Sequence, residues 1–467
     1  MKTITSASDV ASFFRAYRRP VYYIGHATHH LLGMDEWAGS LRYICRVDAF
    51  DGRHPHLLVP KDAGHDDIPE EAVVNRLLGC QEAVDQIASA GNDPAAVFLM
   101  FDEQTEALCT KLGLEIWFPP ADLRARYADK VETVRLGNAA GVPSVPNALA
   151  RVEHFDALLR LADRAGLGSD LVVQTPYGVS GQTTFFVATE DDWSRHATEI
   201  VRQPEVKIMR RIDCRGSTLE ACVTRCGTVV GPLVSEIVGC PEVTPNEGDW
   251  CGEELCPDAF SEKVRATASS YAAKVGDRML RDGYRGYFDV DFLIERKTGE
   301  VYLGEINPRI SAASPISNRA GGPGLPLFLF HLLEFSGVDF AVDVKDLNAR
   351  WADPGCLETW SELVVASTSD ETGVITEAPP SGIWRLGDDG DVTHARFDTC
   401  GTTMATEREA FYLRVTGPGD VRRNRIGLGI LLTRGRLTNE TGGLNDTARA
   451  WIRGLTDKYR ARLSVAG

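Results

Sequence analysis

Tyr287-Phe288-Asp289-Val290-Asp291-Phe292-Leu293-Ile294-Glu295, a break at Lys297-Thr298-Gly299, then Val301-Tyr302-Leu303-Gly304-Glu305-Ile306-Asn307-Pro308-Arg309: this run decides the fold. Apolar Phe288, Val290, Phe292 and Ile294 recur at every second position, the period of a half-buried strand. Val301, Leu303, Glu305 and Asn307 alternate in the same way after the break. A glycine closing a three-residue loop suits a type I turn ended by a left-handed residue. Such a hairpin sets Asp291 opposite Glu305 and Asp289 opposite Asn307. Acids facing each other across a ladder repel. Two readings follow: a solvated acidic face, or a cation held between the acids, with hard oxygen donors favouring Mg²⁺ over zinc.

The order Asp291, then Glu305-Ile306-Asn307-Pro308-Arg309 on the next strand, resembles the metal-binding end of the ATP-grasp superfamily. The resemblance implies that Asp291, Glu305 and Asn307 hold Mg²⁺ (or Mn²⁺) at the ATP phosphates. It also implies that Arg309 faces the phosphoryl group being transferred. The fold class it implies is α/β with an α+β ATP-grasp core. An N-terminal Rossmann-like domain would span 1–120, the ATP-grasp domain 121–345 with its lid at about 148–206, and a small β-rich domain 346–467.

The N-terminal part fits on its own pattern. Val21–Gly25, Tyr43–Val47, Leu57–Pro60 and Ala96–Met100 read as short buried strands, and Glu70–Ala90 has helical spacing. Strands alternating with helices predict a parallel, doubly wound sheet. His26, His29 and His30 follow the first strand, where such sheets expose ligand-facing loops; a plain helix start is the other reading.

Asp122–Ala140 reads as a helix stopped by Gly141-Val142-Pro143. An Asp-Lys before a helix, followed by that turn, resembles biotin carboxylase and its relatives, and implies that Lys130 reaches the ATP phosphates. Leu171–Thr175 and Thr183–Val187 read as paired strands joined by Pro176-Tyr177-Gly178-Val179-Ser180-Gly181-Gln182. By resemblance this is the phosphate-covering loop, with Ser180 and Gly181 offering a hydroxyl and backbone N–H groups. The pattern departs at Gln174, where biotin carboxylase carries a phosphate-binding lysine. Glu205–Ile212 is the next strand: Lys207 would approach the nucleotide, and Met209, Arg210 and Ile212 would meet the adenine through their backbone. Glu220, on the strand after, would point into the site. Asp249–Glu254 reads as a turn-rich loop bordering the acceptor pocket or lying on the surface. Short strands at Glu362–Ala366, Gly382–Arg385 and Phe411–Val415, then a helix over Asp446–Leu463, complete the chain.

With 467 residues, 43% hydrophobic and 25% charged, the composition is that of an ordinary soluble enzyme. A net charge of −16 argues against nucleic acid or an anionic membrane as partner. The first ten residues lack the apolar core of a secretory signal and no run approaches a membrane span, so a cytoplasmic location is expected. Eleven cysteines occur without a Cys-x-x-Cys pair or zinc spacing, which suits reduced, mostly buried thiols.

The chemistry follows from one departure. Biotin carboxylase relatives use a Glu shortly after the metal-strand Arg as a base toward bicarbonate; Ala313 stands at that place. No Lys between Met residues marks a biotin carrier. What the resemblance leaves is the common ligase reaction, in which ATP phosphorylates a carboxylate and an amine displaces phosphate. The expected partners are a small-molecule carboxylate and an amine, such as two amino acids, as in dipeptide synthetases of secondary metabolism. A homodimer is expected by analogy. A bicarbonate-activating carboxylase and a non-catalytic Mg·ATP-binding protein are the alternatives.

Overall fold

The computed structural model describes residues 3–64, 68–91, 93–178, 183–246, 248–319, 324–367, 371–424 and 426–463. Five parallel strands form the N-terminal sheet, in the order Leu57–Leu58, Leu41–Cys45, Val21–Gly25, Ala95–Phe98, Glu115–Ile116. The central strands are buried along their length, and the near-continuous apolar runs at Val21–Gly25 and Ala95–Phe98 are the sequence signature of that burial. Glu70–Ala90 is two helices, Glu70–Gly79 and Gln81–Ser89, because Cys80 takes an extended conformation between them.

Four antiparallel strands make a second, separate sheet: Asn147–Ala150, Val206–Arg210, Leu171–Gln174, Thr184–Val187. Their apolar faces close over helices Phe155–Arg164 and Glu190–Val201, forming an independent core around Val173, Ile200 and Ile208.

The largest sheet is antiparallel and ten strands wide. It runs Val301–Asn307, Gly286–Glu295, Cys214–Thr224, Gly227–Val238, Trp250–Leu255, Trp360–Ala366, Gly427–Arg434, Glu409–Arg414, Gly382–Leu386, Val392–Arg396. The C-terminal strands thus extend the central sheet edge to edge. The 20-residue helix Glu262–Arg281, started by the Ser261 side chain accepting from Val264 N, packs on one face. Asp249–Glu254 does not form a loop: Trp250–Leu255 is an interior strand, with Glu253 and Glu254 buried on opposite faces. The closing segment also differs from a single helix. Asp446–Thr456 is helical, but Arg460–Leu463 pairs with Gly373–Glu377, where ladder bonds replace further helical turns.

Helix Phe328–Phe335 is apolar on nearly all sides, and Phe328 to Leu333 are all buried between the N-terminal and central layers. Each Phe or Leu so buried contributes roughly 1.5–3 kcal/mol. His331 is buried among them, stacked on Phe328, and its Nδ1 accepts from Tyr287 N at 3.0 Å. Burial pushes this imidazole down to about 3. The unfolded chain therefore binds a proton below the ordinary histidine range that the folded chain refuses, and stability falls as pH drops from about 6.5 toward 3. At pH 5 the expected loss from this one group is about 2 kcal/mol. Denaturant unfolding at pH 7 and pH 5 should show a smaller acid loss for His331→Asn than for the wild type; equal losses would refute the assignment.

Candidate active site

The hairpin delivers the expected acid pairs by an unexpected route. Glu295 N bonds Glu300 O, so the loop is the four residues Arg296–Gly299, with Gly299 left-handed at φ 71°. That loop alone would put Asp291 out of step with Glu305. A bulge at Gly304 adds one residue and restores Asp291↔Glu305 and Asp289↔Asn307. Only glycine fits there, since a Cβ would lie 2.9 Å from Asp291 O. The Gly304 carbonyl accepts from Lys207 Nζ at 3.1 Å.

Cations gather at the same end. Asp122–Ala140 divides into Ala121–Ala128 and Lys130–Ala140, because the Asp129 side chain leaves the first helix to accept from Val131 N and Glu132 N. This cap makes Lys130 the first residue of a helix. Its N–H donates to Pro176 O at 2.9 Å, and its Nζ reaches Glu305 Oε2 at 2.6 Å. Arg309 Nη2 donates to Asn307 Oδ1 and Asn307 Nδ2 donates to Asp291 Oδ2, at 3.1 and 3.0 Å. Arg309, Lys130, Lys207, Asp291, Glu305 and Asn307 are thereby brought together.

The electrostatics divide the acids. Burial opposes ionisation of Glu305, yet the Lys130 ammonium holds its carboxyl below the ordinary range. Burial, then the like charges of Asp289, Glu236 and Glu305, push Asp291 well up. Asp289, hydrogen-bonded by Thr218, rises to about 6, mainly through burial. Burial brings Lys207 down to about 8. Among the described residues no three His, Cys, Asp or Glu side chains converge closely enough for a metal ion. The candidate set is two acids and an amide, all oxygen donors, with the Lys130 ammonium already standing at Glu305. These residues fit Mg²⁺, which keeps several waters and takes few protein ligands.

Met209 is buried with Val145, Val172 and Tyr302, and Ile212 packs against that cluster just beyond the strand end. Arg210 approaches Glu295, Nη2 to Oε1 3.8 Å. Gln174 is buried, donates to Thr184 Oγ1 at 3.1 Å, and leaves its Oε1 without a partner among the described residues. Ser180 and Gly181 lie outside the described residues. Glu220 accepts from Tyr287 OH (2.7 Å), Ser311 Oγ (2.8 Å) and Ser314 Oγ, so it anchors the loop after Arg309; burial and Asp289 raise it to about 7.

Sequence reading missed Glu236, Glu253 and Glu362. Register puts Glu236 opposite Glu253, and Glu253 opposite Glu362. His29 Nε2 lies 2.7 Å from Glu362 Oε1, and His30 is paired with Tyr23 OH. No local pattern marks these acids, which meet only through pairing of strands distant in sequence.

No family model matches the chain. A pyruvate carboxylase polypeptide of Methanothermobacter thermautotrophicus is 24% identical over 285 residues, 59% of this chain and 55% of that protein. D-alanine--D-alanine ligase of Treponema denticola is 26% identical over 236 residues, 48% of this chain and 63% of the ligase. The chain thus spans less than two thirds of these relatives' lengths. Among solved structures, the biotin carboxylase domain of Hydrogenobacter thermophilus 2-oxoglutarate carboxylase, a dimer in complex with MgADP, ADP and bicarbonate, superposes with a TM-score of 0.64. The match covers 96% of this chain and 91% of that one at 12% identity. Biotin carboxylase of Campylobacter jejuni superposes with a TM-score of 0.63 at 14% identity, over 96% and 93% of the two chains. The fold is that of the biotin-carboxylase-type ATP-grasp proteins. The chain's sequence relatives, the pyruvate carboxylase and the D-alanine--D-alanine ligase among them, are ATP-grasp enzymes as well.

Proposed function

We propose that the chain is an ATP-dependent, ADP-forming ligase that joins a carboxylate to an amine, two amino acids or close analogues, through an acylphosphate. The observation that carries this reading is the convergence of Lys130, Lys207 and Arg309 on the Asp291/Glu305 pair, with buried Ala313 where a bicarbonate-activating base would stand. Alanine takes no proton, so bicarbonate activation by that route has no acceptor here.

Asp291, Glu305 and Asn307 would hold Mg²⁺, which when bound supplies positive charge at the nucleotide phosphates. Lys130 and Lys207 bind phosphate oxygens; Lys207 is charged at neutral pH because its depressed value still lies near 8. Arg309 is held by Asn307 and by the Ile310 carbonyl, so its fork is oriented before substrate arrives and stabilises charge on the transferring group at little reorganisation cost. The lid carries Pro176, whose carbonyl meets Lys130 N–H, and lid movement would exclude water from the acylphosphate.

Likeness to biotin carboxylases supports the rival carboxylase reading equally at the level of fold. By analogy with the dimeric biotin carboxylase domain, two copies would associate. Among the described residues no helix is long and apolar enough to cross a membrane. Incubating the protein with Mg·ATP and pooled amino acids should release ADP and phosphate only when carboxylate and amine are both present, with a condensed product visible by mass spectrometry. AMP and pyrophosphate, or ADP release driven by bicarbonate alone, would overturn the proposal.

A further inference from the structure

The central sheet carries a second set of buried carboxylates beside the phosphate end. Glu236, Glu253 and Glu362 stand opposite one another on three neighbouring strands, whose backbones in a sheet run about 4.8 Å apart. They share the face that bears Asp289 and Asp291, and the Asp289 charge acts on Glu236 and Glu253. Glu253 and Glu362 are buried, and Oε2 of each has no hydrogen-bond partner among the described residues. Gly216 leaves room for Glu236, since a Cβ there would sit 2.0 Å from Glu236 Oε2. The Ser314–Ser317 turn packs over the same strands, and Ser317 Oγ is a buried hydroxyl that also lacks a partner among the described residues.

His29 Nε2 already meets Oε1 of Glu362 at 2.7 Å, but Glu253 Oε2 has no partner among the described residues, and a buried carboxylate left so is strongly disfavoured unless a cation meets it. A metal ion is a poor occupant, because no three acids converge tightly enough among the described residues. An ammonium or guanidinium suits a row better, since its several N–H donors point in different directions. Glu236 is part-exposed whereas Glu253 and Glu362 are buried, so the row opens toward solvent at Glu236 and closes inward.

We infer that the Glu236–Glu253–Glu362 row binds the cationic end of the acceptor substrate, which is therefore a diamine or basic amino acid. This rests on the ligase reading and names the substrate class for the same site: one amino group attacks while the second, retained cation lies against the row.

The test measures binding apart from turnover. Titration calorimetry with L-lysine and with L-norleucine, at fixed ionic strength, should show the wild type preferring lysine by roughly tenfold or more. Glu253→Gln should abolish that preference and leave Mg·ATP binding intact. Gly216→Ala, which forces the Glu236 carboxylate aside, should weaken lysine binding by a route that touches no acid. Equal binding of the two amino acids by the wild type, or an undiminished preference in both variants, overturns the inference. Cation preference without any ADP release would sink the ligase reading alone; turnover of neutral amines without cation preference would sink this inference alone.

Discussion

Glu305→Gln is expected to lower turnover by at least about a hundredfold while the protein remains folded. Glu305 is the acid that Lys130 grips at 2.6 Å and that faces Asp291 across the ladder. The amide keeps the shape but removes the charge that pairs with Lys130 and that a divalent ion held there would need. Two effects on stability oppose each other. The Lys130 ammonium, only 4% exposed, loses its counter-charge, while Asp291 loses a like-charged neighbour and ionises more readily. Because Glu305 itself is 25% exposed, the net change in unfolding free energy is small beside the kinetic one. Steady-state kinetics across a Mg²⁺ titration, with a thermal melt in parallel, provide the check. Undiminished turnover at ordinary Mg²⁺ would remove Glu305 from the site.

Lys207→Met separates binding from stability more sharply. The ammonium is fully buried, its hydrogen bond goes to a neutral carbonyl, and burial lowers it from the ordinary lysine value to about 8. A lysine held below its unfolded value destabilises the fold wherever both states are protonated, and the penalty fades as pH rises from about 8 to 10.5. At neutral pH the shift corresponds to about 3 kcal/mol. Methionine matches the stem and carries no charge, so the variant should gain up to about 3 kcal/mol in denaturant unfolding at pH 7 and lose that advantage near pH 10.5. On the proposed function, ATP affinity should fall at the same time, by roughly tenfold to a hundredfold, through loss of the charge-assisted contact proposed for Lys207. A variant less stable than wild type at pH 7, or one binding ATP unchanged, would contradict this account of Lys207.

The hairpin was legible because period-two alternation and a glycine-closed loop are local signals. Its acid pairs came out as expected although the loop has four residues, since the Gly304 bulge offsets the difference. Lys130 was legible through Asp129 and the turn at Gly141–Pro143, but the split of the surrounding helix was not: helical spacing continues through a residue whose side chain has left to cap the next turn. The N-terminal sheet was readable from its buried apolar runs. Glu253 reads as part of a turn-rich loop because Asp249, Gly252 and paired glutamates mimic turn composition, and only neighbours on both sides make that segment a strand. Glu236 and Glu362 carry no local signal. Their meaning arises when three strands, two of them more than a hundred residues apart, come into register.

The inserted glycine of the hairpin has a consequence for how this chain can vary. Lengthening the tip at Arg296–Gly299 would alter only a surface excursion. Drawing Gly304 into the ladder as an ordinary position opposite Asp291 would instead turn Glu305 and Asn307 inside out, carrying both to the reverse of the sheet and bringing Ile306 round in their stead. One residue without a side chain therefore acts as the hinge pin on which the polarity of this acidic edge is mounted.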